Sequence, residues 1–163
     1  MFRYILVSVL CLFPSYLTAQ TVGYTHKALA SLGCKMNYGV VKQDTSYYII
    51  ATVRSEKMHF LNEPSMKIRT FNDDVLTLNG QLIDSSNKSA GIMVGYVMVP
   101  LTEITSIAQF RITPEQFEKI KSGISKVRLS MVPMNHERTF KKDKIGKKLY
   151  QFYLKVKSQD EQF

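Results

Sequence analysis

The chain is poor in the residues that build disulfides, metal sites and thiol-based catalytic centres. Of its two cysteines, Cys11 lies in an amino-terminal apolar segment, so Cys34 alone serves the folded domain and no intramolecular disulfide is expected. His26, His59 and His136 are far apart in sequence and lack the close pairing typical of zinc ligands. We therefore expect no metal and no cofactor, and a Cys34 that packs as a small apolar residue.

Sequence motifs of common catalytic sites are also missing. No Gly-x-Ser-x-Gly elbow and no Gly-rich phosphate loop occurs in the chain. Asp73 and Asp74 are neighbours in a polar turn, whereas the two carboxylates of a glycosidase must face each other about 5–10 Å apart. A hydrolase would need a site that assembles only in the fold, in a cleft with a strongly perturbed carboxylate, histidine or thiol.

The amino-terminal segment has the composition of a secretory signal peptide. Arg3 supplies a positive charge, residues 4–13 are uncharged and mostly apolar, and a small residue precedes Gln20. The apolar run is shorter than the roughly 20 residues that span a bilayer, although a retained anchor is the alternative. We expect cleavage of residues 1–19 and export of residues 20–163, to the periplasm or outside the cell, as one domain without a transmembrane helix.

Alternating apolar and polar residues predict short strands over the middle of the chain. Residues 36–40 and 47–53 flank one polar turn, and residues 66–71 and 75–79 flank another. This arrangement is typical of β-hairpins, because the polar turn residues satisfy their own backbone groups.

The next part of the chain is interpreted as a loop followed by two strands. The polar run 84–91 predicts the loop, and residues 92–99 predict a strand in which Gly95 marks a bulge or a close neighbour. Pro100 predicts that this strand ends there or lies at a sheet edge. Residues 105–112 predict a further strand.

Two helices are predicted in the carboxy-terminal half. Thr113, Pro114 and Gln116 match a capping box, and Gly123 fits a left-handed helix exit. The second helix is indicated by an apolar stripe, which consists of Ile145, Leu149, Phe152 and Val156. Together these patterns predict a mainly β or α+β fold: an antiparallel β-sandwich or twisted sheet with one short inserted helix and a carboxy-terminal amphipathic helix.

Three segments, residues 110–117, 123–129 and 141–149, resemble small exported proteins common in gut-type Gram-negative bacteria. The resemblance covers about the last two-thirds of the chain. It implies export and a shared domain, and it implies nothing about chemistry.

The positive charge is concentrated near the carboxy terminus. The chain has a formal net charge of +9, and residues 136–157 contain eight Lys and Arg but two acidic residues. The candidate residues for binding an anionic membrane or polymer are Lys141, Lys142, Lys144, Lys147 and Lys148. The alternative is a core-packing helix with a solvated lysine face. Nucleic acid is not an expected partner, because the chain is expected to leave the cytoplasm.

Three functional hypotheses follow. The first is an exported noncatalytic binding or structural module of the bacterial cell envelope, with an envelope protein or glycan as partner and contacts through Tyr47, Tyr48, Asn87 and Lys88. The second is an envelope protein that docks on an anionic surface through the five lysines. The third is a hydrolase with a site not visible in the sequence.

Overall fold

The structure, a computed structural model, describes residues 20–26, 34–56 and 59–160. The predicted signal peptide, residues 1–19, lies outside the described residues.

Strands dominate the described part of the chain, and two helices follow in its second half. The elements are β1 Thr21–His26, β2 Cys34–Gln43, β3 Ser46–Ser55, β4 Ser65–Thr70, β5 Val75–Val94, β6 Val97–Ile112, α1 Pro114–Ile120, β7 Ile124–Leu129, β8 His136–Thr139 and α2 Gly146–Asp160. The predicted hairpins β2–β3 and β4–β5 are confirmed.

The strands that the structure describes form one antiparallel sheet in the order β1-β2-β3-β6-β5-β4-β7-β8. The sheet curls, so that its two outermost strands meet through side chains: the Tyr24 hydroxyl on β1 is 2.9 Å from Nε2 of His136 on β8. The fold is therefore mainly β, as predicted, and a curled sheet rather than a sandwich.

The core lies on the concave face of this sheet, where every second residue is buried from Ile49 onward in β3 and from Ile104 onward in β6. Ile49 pairs with Phe110 and Ala51 pairs with Ala108, and all four side chains are at most 1% exposed. Their neighbours in sequence point to the other face, as the two-residue period of a strand requires.

The two helices begin where the sequence predicts and pack against one end of the sheet. Thr113 and Gln116 form the predicted capping box, and Gly123 has the predicted positive φ of 94°. Phe117 of α1 stacks on Tyr153 of α2 with 4.3 Å between ring centroids, and both side chains are buried. Neither helix in the described part of the chain has the length and apolar character needed to cross a membrane.

The prediction of a loop at residues 84–91 is wrong. These residues belong to the 20-residue strand β5 and pair with β6. The strand predicted at residues 92–99 is also wrong, because Gly95 and Tyr96 form the turn between β5 and β6. The polar run is tolerated in a strand here because both of its faces are exposed, so no side chain needs to be apolar.

Candidate functional site: an apolar hairpin arm

The β5–β6 hairpin extends beyond the rest of the sheet. β4 pairs with β5 only as far as Asn79, and β3 pairs with β6 only from Ile104 onward. Residues 88–103, here called the arm, therefore pair only with each other among the described residues. At the usual rise per residue of a strand, the arm projects about 20 Å from the sheet.

The arm has the local sequence of a tight hairpin. Val94 pairs with Val97, and the two residues between them form the turn. Gly95 has a φ of 64°, a conformation that glycine adopts without steric cost. Tyr96 follows at the apex and is fully exposed.

The end of the arm is apolar on both faces. Met93 and Met98 pair on one face, and Ile92 pairs with Val99 on the other, since paired residues of antiparallel strands share a face. The exposed apolar side chains are Ile92, Met93, Val94, Tyr96, Val97, Met98 and Val99, with exposed fractions between 39% and 102%. Single exposed apolar residues are ordinary, whereas a contiguous group of this size marks an interaction surface.

The arm also differs from the rest of the molecule in charge. Residues 89–102 contain no charged residue, in a chain with a net charge of +9. Lys88 and Glu103 face each other at the base of the arm and balance in charge. The arm is therefore an electrically neutral, apolar projection from a basic protein.

Both edges of the hairpin are open in the described structure, and they are not equivalent. On β5, residues 81–94 pair with no strand on the side away from β6. On β6, Pro100 has no N–H group, and a proline in a strand places its nitrogen on the edge side. The prediction that Pro100 lies at a sheet edge is thus confirmed, because β3 does not extend beyond Ile104. On β5, a bulge between Leu82 and Asp84 interrupts the free edge, and residues 84–94 are its regular part.

The structure brings two of the four predicted contact residues to the arm. Asn87 and Lys88 are exposed at its base. Tyr47 packs against Phe117 and Tyr153, with ring centroids 6.3 Å and 5.1 Å away, so it supports the core. Tyr48 pairs with Arg111 on the outer face, at the end of β6 remote from the arm.

The five predicted lysines lie at the opposite end of the molecule from the arm. All five are exposed: Lys141, Lys142, Lys144, Lys147 and Lys148. The first three precede α2, so they do not form one face of a helix together. Asp143, between them, accepts hydrogen bonds from the backbone N–H groups of Ile124, Gly146 and Lys147 at 2.8–2.9 Å. This carboxylate satisfies the helix start and offsets the unfavourable placement of lysines there.

A buried polar cluster joins the two outermost strands. Besides His136, the Tyr24 hydroxyl contacts the Tyr38 hydroxyl at 3.1 Å. The rings of His26 and His136 are 4.6 Å apart, and Nδ1 of His26 is buried without a hydrogen-bond partner in the described structure. No pattern in the sequence indicates this pairing, because β1 and β8 become neighbours only when the sheet curls.

The shifted pKa values of Tyr24 and His136 keep both side chains uncharged near neutral pH. Burial raises the pKa of Tyr24 to about 12. Burial, and then the nearby His26 and Arg138, lower the pKa of His136 to about 4. A general acid or base works best with a pKa near the working pH, so these shifts suit structural closure of the sheet rather than proton transfer.

The described residues contain no group of three or more potential metal ligands. Cys34 is a free, buried thiol, as predicted, and it pairs across the strands with His26. A polar cavity of about 190 Å³ is lined by Ser65, Lys67, Arg128, Ser130 and Asn135. Its lining has none of the carboxylate, histidine or thiol groups that the hydrolase hypothesis requires.

Comparison of the chain with protein-family models, with curated proteins and with solved structures found no match.

Proposed function

We propose that this chain is an exported, noncatalytic binding module of the bacterial cell envelope that engages its partner through the arm. The observation that carries the proposal is a neutral, apolar hairpin that extends beyond the sheet with both faces exposed. An exposed apolar patch with open strand edges promotes aggregation when nothing covers it. A protein retains such a feature when a partner covers it.

Strand addition is the mode of binding that fits this surface. An open edge offers backbone N–H and C=O groups in a regular row, and the alternate side chains on each face provide specificity. The free edge of β5 is long enough for this mode, because its regular part, beyond the bulge between Leu82 and Asp84, extends over residues 84–94.

The amino-terminal segment supports export. Arg3, the apolar residues 4–13 and the small residue before Gln20 are the features of a signal peptide. The resemblance to small exported proteins points to the same compartment.

Photo-crosslinking in cells that produce the chain tests the proposal. A photoreactive amino acid replaces Tyr96 at the tip of the arm, residues 92–99. As a control it replaces Met134, which is 67% exposed and lies on the body, the described part of the chain outside the arm. We expect one discrete protein adduct from position 96 that disappears when Met98→Lys is added, and none from position 134. Equal labelling from both positions, no adduct at all, or labelling of lipid alone would contradict the proposal.

A second candidate function is docking on an anionic surface through the lysines at positions 141–148. Their joint exposure at one end of the molecule favours it. It predicts flotation with anionic vesicles at low salt, release at about 1 M salt where charges are screened within about 3 Å, and no flotation with neutral vesicles. Binding that persists at high salt, or that is absent at low salt, would rule it out.

A further inference from the structure

We propose that the polar cavity beside β4 and β7 is a binding site for a phosphate group. The cavity has a volume of about 190 Å³ and is lined by Ser65, Lys67, Arg128, Ser130 and Asn135. Each of these side chains can donate a hydrogen bond, and none of them is acidic. The site is distinct from the arm, so it goes beyond the proposed function and does not depend on it.

Two cations face each other across the ladder between β4 and β7. Lys67 pairs directly with Arg128, so both side chains lie on the same face of the sheet. This is the face away from the core, because their sequence neighbours Met66 and Leu129 are buried. Like charges directly opposite each other destabilise a pair of strands. An anion bound between the two side chains removes this repulsion and accepts a charge-assisted hydrogen bond from each.

No carboxylate in the described part of the chain forms an ion pair with Lys67 or Arg128. Glu137 pairs with Arg128 in the ladder between β7 and β8, but its carboxylate lies 2.6 Å from Nζ of Lys126. A further cation on the same face, Arg69, pairs across the strands with Lys126. Four cations and one carboxylate give this face a net charge of 4 − 1 = +3, which attracts anions.

The uncharged residues of the cavity complete the set of donors. The N–H of Ser130 donates to the Ser65 carbonyl at 2.9 Å, and neither serine hydroxyl bonds to another described residue. The side-chain oxygen of Asn135 accepts from the N–H of Met131 at 3.4 Å, which leaves its NH2 group to donate. Two cations and three neutral donors suit the three or four oxygens of a phosphate group better than the two oxygens of a carboxylate.

The walls of the cavity are held by backbone pairing, and its size fits a small anion. Phe60 and Val132 exchange backbone hydrogen bonds of 3.1 Å and 2.9 Å, which anchor the segment that leads to Asn135. A volume of about 190 Å³ is smaller than the roughly 300–1,000 Å³ of sites that enclose a whole small-molecule ligand. The cavity therefore takes the phosphate group itself, and any molecule that carries this group lies outside.

NMR titration of the isotope-labelled protein, as its cells produce it, tests the site and distinguishes two sources of phosphate. The probes are inorganic phosphate and glycerol 3-phosphate, with acetate at the same ionic strength as the control. We expect saturable shifts in the backbone signals of residues 65–67 and 128–130, with a dissociation constant of about 1 mM or lower. Saturation by inorganic phosphate alone identifies the free ion as the ligand, and saturation by glycerol 3-phosphate identifies a phosphate ester. Acetate should bind at least about ten-fold more weakly.

Substitutions of the two cations connect the shifts to the cavity. Lys67→Gln and Arg128→Gln each remove one charged donor and should weaken phosphate binding by about ten-fold or more, while Arg128→Lys should retain part of the affinity. The matched controls are Lys142→Gln and Arg54→Gln, which remove the same charges at exposed sites outside the cavity and should bind like the unaltered chain.

Thermal unfolding gives a second readout that does not depend on signal assignment. Phosphate should raise the melting temperature of the unaltered chain above its value in chloride of equal ionic strength, because a ligand of the folded state stabilises it. The same comparison should show no difference for Arg128→Gln.

Several outcomes would overturn the inference. They are the absence of saturable shifts up to about 20 mM phosphate, equal shifts with acetate, or unchanged affinity in both Lys67→Gln and Arg128→Gln. Shifts confined to the lysines at positions 141–148 would also refute it. None of these results bears on the adduct from position 96, so loss of this site would leave the proposed function standing.

Discussion

The body and the arm share strands β5 and β6, but their apolar side chains differ in burial. Along the body part of β6, buried and half-exposed residues alternate, so that Phe110 and Ala108 are completely buried. Along the arm part, Val97 and Met98 are consecutive and both more than 60% exposed. Folding accounts for the apolar residues of the body, because they form its core. It does not account for those of the arm, which points to selection for contact with something else.

The largest contrast should appear when apolar side chains on β6 are truncated. Phe110→Ala removes a completely buried ring, and we expect it to lower the free energy of unfolding by about 3–5 kcal/mol. Met98→Ala, on the same strand, should change it by less than about 0.5 kcal/mol in the monomer. Urea denaturation at low protein concentration measures both, and similar losses would erase the distinction between the two regions.

Acidification should weaken the body through the cluster that closes the sheet. His136 has a pKa of about 4 in the folded chain, against 6.5 as its ordinary value, so between these pH values the unfolded chain takes up a proton that the folded chain does not. The free energy of unfolding should therefore fall as pH decreases from about 6.5 to 4, by at most about 1.4 kcal/mol per pH unit from this group.

His136→Gln provides the matching test, because it removes the titrating group and retains a side chain that can bond to the Tyr24 hydroxyl. Its stability should depend less on pH over the same interval than that of the unaltered chain. An unchanged slope in His136→Gln would contradict this assignment.

Loss of the carboxylate at the start of α2 should have an intermediate effect. Asp143→Ala leaves three backbone N–H groups without their acceptor, and we expect a loss of about 2 kcal/mol in the free energy of unfolding. Asp143→Asn should retain part of the stability, since its amide oxygen can accept some of these bonds. Thermal unfolding followed by circular dichroism distinguishes the two variants, and equal stability of Asp143→Ala and the unaltered chain would refute the role.

The smallest effect on stability is expected for a charge at the tip. Val97→Asp in the arm should leave the melting temperature of the isolated chain almost unchanged and impair association with the partner, measured as loss of the adduct from position 96. Val75→Asp, at the start of β5 on the body, is the control, because the two valines are 64% and 58% exposed. Impaired association in the control, or unimpaired association in Val97→Asp, would show that association does not depend specifically on the arm.

Much of the body could be predicted from the sequence because local signals and tertiary packing agree there. The capping box at Thr113 predicts a helix start, and the alternation of apolar residues in β3 predicts a strand. The structure confirms both. Strand β8 was missed because its four residues are too few for a period to emerge. The pairing of His26 with His136 depends on the curl of the sheet, which no local pattern encodes.

The arm could not be predicted by the same reasoning. Turn-forming residues at 84–91 normally indicate a loop. This rule fails for a strand whose two faces are both exposed to solvent. A signal was present all the same: residues 89–102 are uncharged in a strongly basic chain, with Gly95 near their centre. An uncharged apolar run with a central glycine fits a hairpin better than a single bulged strand.

Hydrogen exchange measured peptide by peptide, in the protein alone and with the partner recovered from the position-96 adduct, tests most directly whether the arm rather than the body forms the interface. The account predicts that exchange slows with the partner in residues 84–94, whose outward backbone groups lack a partner in the isolated chain, while the body is unchanged. Exchange in the arm that is equally fast in both samples, with slowing at β1, β8 or the lysine-rich end instead, would contradict it.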